Sequence, residues 1–279
     1  MDKLPSKVLG IDVGGTNVDV VVYDGNFRRV ETRPTSEVLP DLPTYLSKLI
    51  EETEAKAVGV GAAVWLRGKG KIPKPVFAPN LQSVEQLEKL ESLSNTIEVV
   101  LENDANCFAI YASHVLKSEN VLGVTVGTGV GSGIVIDGRI YRGLGMAGEI
   151  GHVNVCENGR ICGCGMRGHL EAYFGGRAFE YEGKDAKELV ESGAVYATDG
   201  FRFFCMAIAN AVRLLDPEVV ALGGRIGMNL DTEIVRDCVS SYLPEFYDVR
   251  IEAVKDEVAV AKGACLACIQ WCQREGVEC

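Results

Sequence analysis

Four residues with metal-binding side chains stand close together in this chain. His152, Cys162, Cys164 and His169 fall within 18 residues with the spacing H-x9-C-x-C-x4-H, and imidazole and thiolate are preferred ligands of tetrahedral Zn²⁺. Cys156 is a fifth candidate in the same stretch. The alternative is a group of buried thiols beside a surface histidine. Four protein ligands would fill the coordination sphere, so the expected metal is structural and not a Lewis acid. A second group is Glu102-Asn103-Asp104-Ala105-Asn106, which follows an apolar strand end and opens a helical pattern. A helix N-terminus favours an ionised carboxylate by about 0.3–1 kcal/mol. Asp104 therefore reads either as a charged general base or as an ordinary helix cap.

A third group is two glycine-rich turns, Asp12-Val13-Gly14-Gly15-Thr16-Asn17 and Gly127-Thr128-Gly129-Val130-Gly131. Glycine lets successive backbone N–H groups converge on an anion, so each turn is a candidate phosphate cradle, with a plain tight turn as the alternative. Neither copy is GxxxxGK[ST] or a GxGxxG opening a helix, which argues against Walker ATPases and Rossmann dehydrogenases. Asp12 is placed either to hold Mg²⁺ through water or to stabilise its turn.

The elements that must position these groups come from an internal repeat. Val8 to Gly25 laid over Val121 to Gly138, an offset of 113, gives eight identities in 18 positions. Each copy reads as a strand, a Gly/Thr turn, a β-branched strand and an Asp-Gly hairpin into a third strand. Helical patterns cover Asp41 to Lys56, Ser83 to Ser94, Asn103 to Lys117, Val195 to Leu215, Asp231 to Tyr242 and Glu257 to Arg274. Strands are expected at Ala57 to Ala63, Ile97 to Leu101 and Val219 to Leu222, giving mixed α/β halves with a hinge inside or just before the helix that starts near Asn103.

With 47% hydrophobic and 24% charged residues the chain reads as an ordinary globule. A net charge of −11 excludes a phosphate-backbone binder as a first reading, so no nucleic acid partner is expected. The longest charge-free run, Val121 to Ile136, has 16 residues, five of them glycine. A membrane helix needs about 20 apolar residues, so no membrane association is expected, and a cytoplasmic location is. Ten cysteines in such a compartment read as ligands, reactive thiols or small buried hydrophobes before disulfides. Cys265, Cys268 and Cys272 follow i, i+3, i+7 spacing on one helix face and read as packing. A second metal or iron–sulfur site is the alternative.

DVGGTN at 12–17, VTVGTGVGSGIV at 124–135 and ALGGRIG at 221–227 resemble the two phosphate motifs and the adenosine motif of the sugar kinase/Hsp70/actin superfamily. GEIGH at 148–152 with CGCGMRGHLEAY at 162–173 is similar to the ROK family of sugar kinases and sugar-responsive repressors. The resemblance runs from about Val8 to Ala267. It implies an α/β fold of two ribonuclease H-like domains with a cleft between them, the actin-like ATPase fold. The first domain would span 1–108 with a returning helix at about 259–275, and the second 109–258 with the zinc loop.

The resemblance also implies roles. Asp104 would be the general base of phosphoryl transfer to an alcohol, and Asn80, Asn103, Glu149, His152 and Glu171 would join it in holding the sugar. ATP with Mg²⁺ would meet Asp12, Gly14, Gly15, Thr16, Asn17, Gly127, Thr128, Gly129, Gly223 and Gly224. Where the family reads GC-x-E, this chain reads Gly168-His169-Leu170-Glu171, so His169 or Cys156 completes the Zn²⁺ site. The implied activity is an ATP-dependent transfer to the 6-hydroxyl of a hexose, glucose first. N-acetylglucosamine, N-acetylmannosamine or fructose are the alternative acceptors, and a non-catalytic sugar-binding regulator is the alternative of another class. The family Pro-Gly is missing from Ala63 to Gly68, so the identity of the hexose does not carry over. A homodimer or higher homo-oligomer is expected.

Overall fold

The computed structural model describes residues 7–78 and 84–279. It divides into two compact units. Unit 1 is Met1–Tyr111, Arg142–Ala147 and Val258–Cys279, and unit 2 is Ala112–Tyr141 and Gly148–Glu257. The division between Tyr111 and Ala112 falls inside the helix Asp104–Leu116. The segment Arg142–Ala147 belongs to unit 1, in contrast to the unbroken 109–258 expected from sequence. Among the described residues no helix is long and apolar enough to cross a membrane.

The five-stranded sheet of unit 1 uses β1 (Val8–Val13), β2 (Asn17–Tyr23), β3 (Phe27–Pro34), β4 (Ala57–Ala62) and β7 (Glu98–Asn103), in the order β3-β2-β1-β4-β7. β1 pairs antiparallel with β2 and parallel with β4, which pairs parallel with β7. A small antiparallel pair, β5 (Trp65–Arg67) and β6 (Lys74–Phe77), fills the departure loop after β4. One face of the sheet is covered by α1 (Leu42–Thr53), whose Leu42, Leu46 and Leu49 recur at helical spacing and are buried.

The other face is covered by α5 (Ala259–Glu275), with Ala261, Cys265, Cys268 and Cys272 packed on Val8, Val21 and Ala57. The approach is close enough to require glycine. A Cβ on Gly59 would lie 1.9 Å from the carbonyl oxygen of Ala264. Cys265, Cys268 and Cys272 thus lie on the face of α5 that meets the sheet.

In unit 2 the corresponding sheet is β8 (Val121–Val126), β9 (Val130–Ile136), β10 (Arg139–Ile140), β11 (Val219–Gly223) and β12 (Ile251–Ala253), in the order β10-β9-β8-β11-β12. Its core is filled from α3 (Asp199–Leu215), where Phe204 stacks on Phe174 at 4.6 Å between ring centroids. α4 (Thr232–Ser240) adds Val235 and Val239. Thr198 caps α3 by accepting the Phe201 N–H at 3.1 Å, and this ends the helical pattern expected from Val195. Ala194–Ala197 becomes a separate 3-10 turn. The helix expected over Ser83 to Ser94 is broken, within its described part, into Glu85–Glu88 and Leu90–Leu93.

The repeat is present in both sheets with one difference. In the first hairpin Val13 pairs with Val18, leaving four turn residues, and in the second Val126 pairs with Val130, leaving three. The first strands correspond at the offset of 113, but the second strands pair one residue out of step. A one-residue slip exchanges the faces of a strand. Val18 and Val20 enter the core of unit 1, whereas Val130 and Ile134 enter that of unit 2.

Candidate active site

In unit 1 the candidate residues Asp12, Asn103 and Asp104 stand at the carboxyl ends of parallel strands, the edge where open α/β sheets bind ligands. Asp12, Gly61 and Glu102 are in register there, followed by Val13, Ala62 and Asn103. α2 (Asp104–Leu116) starts directly after β7. Its cap is Asn103, whose Oδ1 accepts the Asn106 N–H at 3.1 Å. The capping role considered for Asp104 therefore belongs to its neighbour, and Asp104 occupies the first helical position. Asp104 Oδ1 accepts the Ala105 N–H at 2.9 Å. Asn103 Nδ2 donates to the Val64 carbonyl at 3.1 Å, which leaves one N–H and one lone pair of this amide for other partners.

Glu102 organises this turn from beneath and was missed by sequence reasoning. It is 3% exposed. Its Oε1 accepts the Asn103 N–H at 2.9 Å and Asn106 Nδ2 at 2.8 Å, and its Oε2 accepts from Arg142 Nε. The only signal in the sequence was a glutamate ending an apolar strand, with its partner 40 residues away. Among the described residues no cation acts on Asp12 in this way. Burial pushes its carboxyl well above the usual carboxylate range, and the negative charge of Asp104, then of Asp19, adds to the rise.

The first glycine turn is tied by its carbonyls. Thr35, a second residue the sequence reading missed, donates its hydroxyl to the Gly14 carbonyl at 2.7 Å and its N–H to the Thr16 carbonyl at 2.8 Å. The Gly14 N–H closes the turn on Asn17 O at 3.0 Å. Among the described residues the N–H groups of Gly15 and Thr16 have no protein acceptor, so these two are the amides this turn can present to an anion.

The second turn follows the same scheme in unit 2. Gly127 N–H closes on Gly129 O at 3.0 Å, while Gly176 and Arg177 N–H groups hold the Gly127 and Thr128 carbonyls at 2.8 and 2.9 Å. Among the described residues, Thr128 and Gly129 keep N–H groups without a protein acceptor. Glu171 Oε2 accepts the Val130 N–H at 3.0 Å. A Cβ on Gly129 would lie 2.0 Å from that oxygen, so only glycine fits between the turn and the carboxylate. Gly223 ends β11 beside Thr125 of β8, and Gly224 opens the short helix Gly224–Gly227. Glu149 precedes the 3-10 turn Ile150–His152 and accepts the His152 N–H through its carbonyl at 3.0 Å.

The His/Cys group converges within unit 2. The ligand atoms of His152, Cys162, Cys164 and His169 lie within 4.8 Å of one another. Nδ1 of His152 is 3.3 Å from Nδ1 of His169, Cys164 Sγ is 3.2 Å from His169 Nδ1, and Cys162 Sγ is 3.6 Å from His152 Nδ1. A tetrahedral Zn²⁺ with bonds of about 2.0 Å to nitrogen and 2.3 Å to sulfur needs N···N near 3.3 Å and N···S near 3.5 Å. The donor set therefore fits that ion. Burial lowers the pKa of His152, against the Glu171 charge and together with His169, which favours the neutral imidazole that binds metal. Burial pushes the Cys162 thiol up to about 11. Cys156 lies outside the group, its Sγ 4.0 Å from the Glu157 carbonyl. His169, and not Cys156, is thus the fourth member of the converging group. Asn80 lies outside the described residues.

Comparison with known proteins follows this geometry. A family model described as "ROK family" matches residues 8–270. The N-acetyl-D-glucosamine kinase of Mannheimia succiniciproducens is 31% identical, over 77% of this chain and 83% of its own length. The crystal structure of the ROK hexokinase from Thermus thermophilus superposes with a TM-score of 0.80 at 28% identity, covering 96% of this chain and 99% of that one. A ROK family glucokinase from Streptomyces griseus, solved with glucose and AMPPNP, gives 0.74 at 25% identity, covering 95% and 99%. The architecture is accordingly the actin-like ATPase fold expected from the motifs.

Proposed function

Because the chain belongs to the ROK family, we propose that it is an ATP-dependent hexose kinase that phosphorylates the 6-hydroxyl of glucose. Asp104 takes the proton of that hydroxyl as its oxygen attacks the γ-phosphorus, and the bond from phosphorus to the bridging oxygen breaks to leave ADP. The observation that carries this reading is the division of labour at the head of α2. Asn103 does the capping, Glu102 and Arg142 hold the turn, and Asp104 opens α2 at the carboxyl edge of the sheet.

The amides of Gly15, Thr16, Thr128 and Gly129 bind phosphate oxygens, and the turns ending at Asn17 and Gly223-Gly224 complete the nucleotide contacts. The Asp12 carboxylate would hold a hard divalent cation, whose charge would offset the cost that burial and the neighbouring Asp104 charge put on its ionisation. Bound there, Mg²⁺ supplies the positive charge that the transferred phosphoryl group requires. Asn80, Asn103, Glu149, His152 and Glu171 orient the sugar. His152 directs Nδ1 to the Zn²⁺ ligand set, and its other ring nitrogen meets a sugar hydroxyl, which couples the structural metal to sugar binding.

N-acetylglucosamine is the second reading, favoured by the 31% identical relative that phosphorylates it by name. One coupled assay of ADP release across glucose, mannose, fructose, glucosamine and the N-acetyl sugars tests both. Glucose should give the highest kcat/KM. A tenfold preference for N-acetylglucosamine would move the assignment to the second reading, and no release with any hexose would end the proposal.

A further inference from the structure

Three thiols outside the sites described above converge in unit 1. Cys268 and Cys272 lie one turn apart on α5. The helix ends at Gly276, whose φ of +68° is the left-handed conformation that reverses a chain at a helix end. Val277 N–H donates back to the Cys272 carbonyl at 3.1 Å, and the following residues fold over the last turns. Cys279 is thereby buried against α5. Its Cα is 6.0 Å from that of Cys272, inside the range for a disulfide, and the two sulfurs are joined. Cys279 Sγ also lies 3.9 Å from Cys268 Sγ and 3.7 Å from the Cys268 carbonyl.

The surroundings decide between a metal and a sulfur–sulfur bond. The group has three sulfurs and no imidazole or carboxylate, and it packs on Val8, Val21, Ala57 and Val100. Burial pushes the Cys268 thiol up to about 12. Three thiolates on a divalent ion would place net negative charge in this apolar patch, whereas a disulfide and a thiol are neutral.

We propose that Cys279, Cys272 and Cys268 form a thiol–disulfide exchange site whose substrate class is the small-molecule disulfide. The Cys279 thiolate attacks one sulfur of the small disulfide RSSR, forming a mixed disulfide and releasing one RSH after protonation. The Cys272 thiolate then attacks the Cys279 sulfur and expels the second RSH. Two protein thiols are oxidised and one small disulfide is reduced to two thiols. Cys268 stands ready as the alternative attacking thiol on Cys279. Closure staples residues 276–279 to the helix that covers β1 and β4.

The test uses the full chain, reduced with excess dithiol, desalted and incubated with mixtures of oxidised and reduced glutathione. Acid quenching, alkylation and trypsin follow. Cleavage after Lys262, Arg274 and at no site between separates the peptide with Cys265, Cys268 and Cys272 from the one with Cys279, so the His/Cys group of unit 2 is counted apart. The expected result is a Cys272–Cys279 cross-link with two equivalents of glutathione released, reversed by excess reduced glutathione. The oxidised form should melt roughly 5 °C higher. Cys268→Ser should keep the cross-link, and Cys272→Ser should yield Cys268–Cys279. All four thiols of these two peptides alkylatable after oxidation, a lasting mixed disulfide on Cys279 in the unsubstituted protein, or a metal ion held by Cys268, Cys272 and Cys279 would each overturn the proposal.

Discussion

The two glycine turns stand on the same strand–turn–strand frame, yet Asp12 and Asp19 of the first correspond at the 113-residue offset to Thr125 and Ser132 of the second. Both turns close with a glycine N–H, both have their carbonyls tied down from outside, and both leave two adjacent amides. The shared frame thus retains the part that binds an anion by backbone. The part that differs is charge. Unit 1 holds Asp12 where burial and the Asp104 charge make ionisation costly, while unit 2 places Glu171 against a backbone N–H that satisfies it. Cation binding and proton abstraction fit the first, and fixed hydrogen bonding to neutral hydroxyls fits the second.

The largest expected effect comes from removing the charge in unit 1. Asp104→Asn should lower kcat by about 10²–10⁴ while sugar affinity, read by calorimetry, changes only a few-fold. Turnover within tenfold of the unsubstituted enzyme would remove Asp104 as the base and with it the contrast between the units. Next, Cys164→Ser should cost roughly 100-fold in zinc affinity and raise the sugar KM through His152. Because the Cys162 thiol sits at about 11 and must lose its proton to bind, zinc should be released progressively as pH falls. Metal analysis after dialysis at stepped pH reads this directly, and purified protein without zinc would refute it.

A smaller effect separates the two turns themselves. Gly129→Ala should raise the KM for ATP about tenfold, or 1.4 kcal/mol, since the new methyl displaces Glu171. Thr16→Ala, at the equivalent place, keeps its amide and should change KM less than threefold. Equal effects would show that the turns are not differentiated. Smallest is Asp12→Asn. The folded protein holds the Asp12 proton more tightly than the unfolded chain, so the native protein loses stability as pH rises above the unfolded carboxylate value near 4. The asparagine variant should therefore be more stable at pH 7 without Mg²⁺, by about 1 kcal/mol. That gain should disappear below about pH 4, and chemical denaturation at the two pH values measures it.

The frame and most of the site were legible because their signals are local. Strand, glycine turn and strand are contiguous in both copies, and His152 to His169 spans one loop. What the sequence hid has a physical reason in each case. Equal spacing on both sides of the turn gave no sign that Val130, and not Gly131, pairs with Val126. The helices Gly176–Tyr181 and Ala186–Glu191 are under two turns long, too short for a periodic pattern. Glu102 and Arg142 find each other across 40 residues. Helical spacing grouped Cys265, Cys268 and Cys272, but only the chain reversal at Gly276 brings in Cys279.

The split composition of unit 1 sets an order of events during synthesis. Its sheet strands are complete by Asn103, yet the helix that covers Val8, Ala57 and Val100 begins only at Ala259. At 5–20 residues per second, roughly 8–30 s pass between the two on the ribosome. During that interval unit 2 can fold, while one apolar face of the earlier sheet waits uncovered. The older half of the nascent chain finishes last.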